Sequence, residues 1–498
     1  MATQHENYSL VSITKRVSVY PKSLRPQQLL SLSNLDRQCP TLMYLVFFYN
    51  PSHALKNLSI KTVFSSLKSS LEETLSAWYP AAGRLTLNPS DGKLELWCNN
   101  GGAILVEAVT QVQISELGDL SEYNEFYEKL VFKPSFNGNF SDMPLLVAQV
   151  TRFGCGGYSV GVGTSHSLFD GPAVFDFLRA WASNTTMIGS TGLDHQQHKP
   201  VHDRGTLLAC MRSQPASAKL GKNPNSVSRV AAIDHLYLLI KQAASDWNHV
   251  SDGKLGGQKL SHMGSSNQDN YVLKTFHLNV SMIESLKRKI FGEKRGSLPC
   301  SSFEVVAAHL WKLHGGSPQV LKIFGFHSLM FYAARTKALG LRKERMVCLQ
   351  FAVDTRTKMV PPLPQGFSGN AYVLASIALT AGELEEESHG SLIERIKEAK
   401  NSVTTDYICA YMEALEAPQT SLPPLKELTL VSDWTRMPFH KVNFLHGEAA
   451  FVSPLVPPIT QVAYFMHSPT ESRSIDVRIG LLPQTLTAFS HHFLTNMQ

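Results

Sequence analysis

The order of apolar and polar positions in the first third of the chain predicts strands and helices in alternation. Residues 43–49 form a short run of apolar and aromatic side chains, which favours a buried strand. Residues 62–78 repeat apolar side chains three or four positions apart, which predicts a helix. The repeating positions are Val63, Leu67, Leu71, Leu75 and Trp78. Strand and helix are therefore expected to alternate early in the chain.

The same alternation is clearest further along the chain. Residues 145–150 and 158–164 are each predicted to form a strand, with a Gly-Gly turn between them. A helix is predicted next, because Pro172 suits a first helical position. His166 therefore falls in the connection between a strand and a helix.

The chain has 498 residues, which is more than one hydrophobic core usually supports, so we expect two domains. Between residues 184 and 225 the apolar periodicity disappears and small, polar and proline residues dominate, which indicates a long connection. We predict an N-terminal domain at 1–183, a crossover connection at 184–225 and a C-terminal domain at 226–498.

Composition and charge exclude several classes of protein. With 43% hydrophobic and 17% charged residues, the chain has enough apolar material for packed cores. The net charge of +6 is small for this length, and no stripe of Lys and Arg suggests nucleic acid. The 7 cysteines show no metal-ligand spacing. We expect neither a nucleic-acid partner nor a bound metal.

The sequence also bears on localisation. No window has the roughly 18 to 20 consecutive apolar residues that span a bilayer, so we expect no integral membrane segment. The N-terminus lacks the charged and then apolar plan of a signal peptide. These observations predict a cytoplasmic protein.

The most informative motif is H-x-x-x-D-G, formed by His166, Asp170 and Gly171 directly after a predicted strand. Alone it is weak, because two polar residues four positions apart often occur by chance. Other segments accompany it in a consistent order: LSNLD at 32–36, YPAAGRL at 79–85, FEVVAAHLW at 303–311, VDTR at 353–356, PPLPQGFSGN at 361–370 and SDWTR at 432–436. Together they resemble the BAHD family of plant acyl-CoA-dependent acyltransferases over most of the chain.

The resemblance implies two similar mixed-sheet α/β domains of the BAHD and chloramphenicol acetyltransferase type, with a central channel. It implies that an acyl-CoA and a small hydroxylated acceptor meet at His166. Acyl-CoA would be a co-substrate, so we expect no resident cofactor, and we expect a monomer. The sequence leaves open which acyl donor and which acceptor are used, and whether oxygen or nitrogen is acylated.

The chemistry explains why a histidine is needed. An alcohol is a poor nucleophile near neutral pH, where an imidazole titrates, so His166 is the predicted general base for direct attack on the thioester. The resemblance gives Asp170 a structural role, in which it holds its loop through an ion pair. The alternative is that Asp170 polarises His166 as in a catalytic triad. Cys155 and Ser165 lack the context of covalent nucleophiles and are interpreted as structural.

Further site residues follow from the resemblance and from charge. Arg436 matches the position at which hydroxycinnamoyl-CoA shikimate transferases hold the acceptor's carboxylate, and a scaffold role fits equally well. Thr435 and Ser33 are predicted to lie in the acceptor site. Lys287 and Lys289 are candidates for the phosphates of coenzyme A, with a solvated helix face as the alternative.

The family's second hallmark, D-F-G-W-G, is altered to N-F-L-H-G, which places Asn443, Phe444 and Gly447 at three of its positions. The aspartate's charge is lost from a structural ion pair, for which Arg356 is the possible partner, although Asn443 still accepts hydrogen bonds. His446 is interpreted as a residue of the pocket wall or the surface, with a catalytic donor as the alternative.

Together these features predict an O-acyltransferase that moves an acyl group from acyl-CoA to a hydroxylated plant metabolite. The acceptor classes are a phenylpropanoid partner, a long-chain alcohol or hydroxy acid, or a steroid. The alternative is a non-catalytic accessory protein on the same fold, as in wax fatty-acid elongation. Residues 313–333 form an apolar insertion, which we interpret as a retained intron or misplaced exon boundary, or alternatively as a partner- or membrane-binding loop.

Overall fold

The structure is a computed structural model that describes residues 11–135, 137–185, 199–212, 230–251, 272–292, 300–313, 342–416, 425, 427–445, 447–456, 462–481, 483–495 and 497. The insertion predicted at 313–333 lies outside these ranges apart from Leu313. Most of the predicted crossover at 184–225 and His446 also lie outside them.

The strands are rich in β-branched, leucine and aromatic residues. In chain order they are β1 (Ser12–Val19), β2 (Gln28–Ser31), β3 (Leu42–Tyr49), β4 (Arg84–Leu87), β5 (Leu94–Cys98), β6 (Ala103–Val109), β7 (Leu146–Arg152), β8 (Tyr158–Ser165), β9 (Val272–Leu278), β10 (Met346–Asp354), β11 (Tyr372–Thr380), β12 (Leu428–Trp434), β13 (Phe451–Leu455), β14 (Val462–His467) and β15 (Ile475–Leu481).

Several helices begin at a Ser, Thr, Asn or Asp whose side chain accepts a hydrogen bond from the first turn. The helices are α1 (Asn34–Arg37), α2 (His53–Lys56), α3 (Ile60–Ala77), α4 (Gly171–Ser183), α5 (Gly205–Arg212), α6 (Ala231–Ser251), α7 (Val280–Phe291), α8 (Ser302–Leu313), α9 (Ala381–Glu386), α10 (His389–Asn401), α11 (Thr405–Ala414) and α12 (Pro483–Thr495).

The chain divides into two compact units. Unit 1 comprises Met1–Ser213, Met359–Tyr372 and Arg436–Pro457. It contains a six-stranded sheet of order β1-β6-β7-β8-β3-β13 and a three-stranded sheet of order β2-β5-β4. The larger sheet is mixed, because β6 and β7 run parallel while its other strand pairs are antiparallel. Helix α3 packs on α4 and on strands β1, β6 and β7.

Strand β8 lies between β7 and β3, and all of its residues are buried. Gly163 pairs with Tyr44 on β3, and a Cβ at Gly163 would come within 2.5 Å of the Tyr44 ring. Only glycine therefore fits at this close approach. The packed strand ends at Ser165, so the next residue, His166, starts from a rigid support.

Unit 2 comprises Gln214–Lys358, Val373–Thr435 and Pro458–Gln498. Its six-stranded sheet has the order β11-β10-β12-β14-β15-β9, with β10, β12 and β14 parallel and β14, β15 and β9 antiparallel. Helix α8 packs against α7, α10 and α12. Each unit thus combines a mixed sheet with helices, which confirms the predicted α/β class. None of the helices in the described ranges is long and apolar enough to cross a membrane.

The units are not contiguous along the chain, whereas the sequence predicted one contiguous domain after residue 225. The segments Met359–Tyr372 and Arg436–Pro457 return to unit 1. Strand β13 in the second of these segments pairs antiparallel with β3. This pairing satisfies the backbone groups along one side of β3, which would otherwise be a sheet edge.

His202 links the segment Met359–Tyr372 to the rest of unit 1 through hydrogen bonds. Its Nδ1 lies 2.7 Å from Ser368 Oγ and its Nε2 lies 3.0 Å from the carbonyl oxygen of Ala77. Because a carbonyl only accepts, Nε2 carries the proton. The Ser368 hydroxyl also lies 3.2 Å from the carbonyl oxygen of Val201, a second acceptor for its single hydrogen. Burial of the imidazole lowers the pKa of His202 to about 4.

His202 should therefore make the fold sensitive to acid. The unfolded chain binds this proton with a pKa of 6.5 and the folded chain with a pKa of about 4, so stability falls as the pH drops through this window. His202→Gln should remove roughly 1–2 kcal/mol of the loss between about pH 7 and 5. Thermal midpoints at both pH values check this, with the exposed His53→Gln as the control. An unchanged pH dependence in His202→Gln would contradict the assignment.

Candidate active site

The candidate site lies in the connection between β8 and α4, which starts after Ser165 and ends at Asp170. The main chain of His166 is held on both sides. Its N–H donates to the carbonyl oxygen of Thr41 at 2.8 Å, and its own carbonyl oxygen accepts from Asn370 Nδ2 at 2.7 Å. The position of His166 therefore depends on contacts distant in the sequence.

The imidazole of His166 is half-buried. Its Nδ1 is enclosed and has no hydrogen-bond partner among the described residues. The ring lies against that of Tyr372, with 5.9 Å between the ring centroids and 56° between the planes. The ring therefore has an enclosed side at Nδ1 and an aromatic neighbour.

Asp170 is buried, and both of its carboxylate oxygens accept hydrogen bonds from the backbone. Oδ1 accepts from the N–H of Ala173 at 3.1 Å and thereby caps α4. Oδ2 accepts from the N–H of Ala371 at 2.9 Å. These contacts suit a structural role, and Nδ1 of His166 lacks the carboxylate hydrogen bond that a triad would require.

Ser33 does not present its hydroxyl to an acceptor site. It is fully buried and forms a capping box with Asp36 at the start of α1. Its Oγ donates to Asp36 Oδ2 at 2.8 Å and accepts from the Asp36 N–H at 3.3 Å. Since the hydroxyl already donates and accepts within the fold, we do not retain Ser33 among the acceptor-binding candidates.

Arg436 and Thr435 follow β12 directly and differ in their surroundings. Arg436 is exposed, and the described residues provide no hydrogen-bond partner for its guanidinium. The Thr435 hydroxyl donates to Asp433 Oδ1 at 2.6 Å, and its N–H donates to the same oxygen at 3.0 Å. Arg436 is therefore available to a ligand, while the Thr435 hydroxyl belongs to a local turn.

The two lysine candidates for coenzyme A lie on α7. Nζ of Lys287 donates to Glu284 Oε1 at 2.9 Å and its side chain is buried, whereas Lys289 is exposed. Residues two positions apart point in different directions from a helix, so the structure does not bring the two ammonium groups together. Among the described residues, no group of three or more His, Cys, Asp or Glu is placed to hold a metal ion.

The altered hallmark keeps its aromatic residue in the core. Phe444 is fully buried, with its ring 5.4 Å from that of Phe47 and 4.8 Å from that of Trp181. Oδ1 of Asn443 is buried and has no hydrogen-bond partner in the described part of the chain. Gly447 has a φ of 101°, which favours glycine.

Arg356, the possible partner predicted for the altered hallmark, forms an ion pair within its own turn. Its Nη1 lies 3.3 Å from Asp354 Oδ1, and its backbone N–H donates to the same oxygen at 2.9 Å. His446, the other residue singled out in the hallmark, lies outside the described residues.

Sequence reasoning missed the residues that hold the loop. Thr41, Asn370, Ala371 and Tyr372 all contact His166 or Asp170, and none was predicted to belong to the site. The one signal was the Gly-Asn pair that ends the segment 361–370, where the chain resembles its family. This pair contributes to the family resemblance, but it does not indicate that Asn370 contacts His166.

The fold and site together define a transferase built from two mixed-sheet α/β units. A model of the Transferase family matches residues 9–320 and 325–495. The interruption at 321–324 falls inside the predicted insertion. The chain belongs to the BAHD family of acyltransferases, as its motifs predicted.

Named relatives and a solved structure agree with this family. The Arabidopsis thaliana protein "Brassinosteroid-related acyltransferase 1" is 49% identical, covering 97% of this chain and 98% of its own. "Fatty alcohol:caffeoyl-CoA acyltransferase" from the same plant is 29% identical, with coverages of 97% and 98%. The crystal structure of vinorine synthase shares the fold, with a TM-score of 0.66 at 20% identity and 98% coverage of both chains. The protein is an acyltransferase, which confirms the predicted enzyme class.

Asp170→Ala should destabilise unit 1 more than the loss of an ordinary helix cap. It removes the cap of α4 and leaves the Ala371 N–H without its acceptor, which together should cost about 2–4 kcal/mol. Urea unfolding measures this. Ser388→Ala, which removes only the exposed cap of α10, should cost about 0.5–1 kcal/mol. Equal losses in the two variants would show that the Ala371 contact contributes nothing.

Proposed function

We propose that this acyltransferase transfers the acyl group of an acyl-CoA thioester to a hydroxyl group of a small apolar acceptor, with His166 as the general base. The observation that carries the proposal is that Asp170 and His166 make different contacts in the β8–α4 connection. Asp170 uses both carboxylate oxygens on backbone N–H groups, while the imidazole of His166 is half-exposed on a main chain held from both sides.

The mechanism needs one proton acceptor and no covalent enzyme intermediate. Because Nδ1 of His166 is enclosed, Nε2 is the atom proposed to take the proton from the acceptor hydroxyl. The hydroxyl oxygen forms a bond to the thioester carbonyl carbon, and the carbon–sulfur bond then breaks. The proton passes from Nε2 to the departing thiolate, which leaves as free coenzyme A and restores the base.

An apolar acceptor is supported by the names of the relatives. The relative with 49% identity is named for a relation to brassinosteroids, and the relative with 29% identity for a fatty alcohol and caffeoyl-CoA. Steroids and fatty alcohols share a large apolar body with hydroxyl groups. We therefore propose a steroid hydroxyl as the first acceptor to test, with a fatty alcohol as the second.

His166→Ala should lower acyl transfer by roughly 10²–10⁴-fold, because a positioned general base typically contributes that factor. Thiol release from a panel of acyl-CoAs, with a hydroxysteroid and a fatty alcohol as acceptors, measures the rate. The exposed His53→Ala serves as the matched control, and thermal midpoints show whether both variants fold. Turnover near that of the natural chain in a folded His166→Ala variant would refute the proposed base.

Arg436→Gln should change the apparent KM for a neutral steroid acceptor by less than about 2-fold, because such an acceptor has no carboxylate for a guanidinium to bind. Initial rates at varied acceptor concentration and saturating acyl-CoA measure this. An acceptor KM raised by about 10-fold or more, with the acyl-CoA KM unchanged, would place Arg436 in contact with the steroid and contradict this expectation.

A further inference from the structure

Asn370 connects the main chain of His166 to a buried carboxylate. Its Nδ2 lies 2.7 Å from the carbonyl oxygen of His166 and 3.1 Å from Asp36 Oδ1. Its backbone N–H donates to the same oxygen of Asp36 at 2.9 Å. Asn370 is fully buried, so water does not compete for these hydrogen bonds.

The two acceptors determine which end of the carboxamide faces His166. An amide nitrogen has two hydrogens to donate, and the carbonyl and carboxylate oxygens around it only accept. Rotating the amide by 180° would place its oxygen against both acceptors. Oδ1 of Asn370, on the opposite side, has no hydrogen-bond partner among the described residues. The surrounding acceptors therefore stabilise the orientation in which Nδ2 of Asn370 faces His166, and they disfavour the reversed carboxamide.

Asp36 is itself held in place, so it provides Asn370 with a rigid acceptor. Its Oδ2 accepts from the N–H of Ser33 at 3.0 Å and from the Ser33 hydroxyl at 2.8 Å. The same oxygen lies 3.5 Å from Nε of Arg204, and both side chains of this ion pair are at most 2% exposed. A buried carboxylate needs such partners, and moving it would break several of them.

The two residues after Asn370 contact the same loop. The N–H of Ala371 donates to Asp170 Oδ2 at 2.9 Å, and the ring of Tyr372 lies 5.9 Å from that of His166. Three consecutive residues of the segment Met359–Tyr372 thus contact the loop that carries His166.

We propose that Asn370 is a positioning residue for His166. Its carboxamide holds the main chain of His166, and hence the imidazole, where proton transfer takes place, and it does not itself contact the substrate. This inference rests on the proposed role of His166 as the general base. Without the hydrogen bond the base shifts, and a displacement of about 1 Å can cost roughly 10²-fold in rate.

A double-mutant cycle with His166 tests the inference. Asn370→Ala should lower kcat by roughly 10–100-fold and change the KM for acyl-CoA and for the acceptor by less than about 2-fold. In a His166→Ala background the same substitution should leave the residual rate unchanged, because the base through which Asn370 acts is absent. Asn370→Ser is the second variant if Asn370→Ala does not fold, since its single hydroxyl hydrogen cannot serve both acceptors.

Ser368→Ala is the matched control from the same segment. Ser368 is also buried, and its hydroxyl contacts His202 Nδ1 and the carbonyl oxygen of Val201; in the described part of the chain none of its hydrogen bonds involves His166. Its loss should lower the thermal midpoint and leave kcat per folded molecule unchanged. Equal rate losses for Asn370→Ala in both backgrounds, or an unchanged kcat in the natural background, would overturn the positioning role. High turnover in His166→Ala would instead refute the proposed function itself.

Discussion

The site depends on two buried carboxylates that accept successive backbone N–H groups of one segment. Asp36 accepts the N–H of Asn370, and Asp170 accepts the N–H of Ala371. Asp36 belongs to α1 and Asp170 begins α4, so the segment Met359–Tyr372 is fixed to two parts of unit 1. Buried charges are tolerated only with such partners, and buried N–H groups need acceptors. The same contacts therefore stabilise the fold and place His166.

The local elements of the fold could be predicted from the sequence, while its long-range assembly could not. The strand predicted at 43–49 is β3, the helix predicted at 62–78 is α3, and the strands predicted at 145–150 and 158–164 are β7 and β8. Each depends on a pattern of apolar side chains within its own residues, either a helical repeat or a continuous run. The pairing of β13 with β3 and the return of Met359–Tyr372 depend on partners hundreds of residues apart, which local periodicity does not encode.

In the site, too, local sequence motifs could be predicted, while contacts between residues distant in the sequence could not. The motif that contains His166 and Asp170 could be predicted from the sequence, because its residues lie within six consecutive positions and match the family pattern. Ser33 was interpreted as acceptor-binding, although the three-residue spacing to Asp36 is the pattern of a capping box, which the structure contains. Asn370 could not be assigned a role from the sequence, because its partners Asp36 and His166 are 334 and 204 positions away.

The residues of the altered second hallmark and the residues that hydrogen-bond to His166 are different. Phe444 packs between Phe47 of β3 and Trp181 of α4, so the aromatic residue of the hallmark still anchors its segment in the core of unit 1. The polar position has changed, and Asn443 keeps a buried Oδ1 with no hydrogen-bond partner in the described part of the chain. Hydrogen bonds to His166 and Asp170 come from residues 41, 173, 370 and 371. Because none of these residues belongs to the hallmark, its alteration leaves these hydrogen bonds in place.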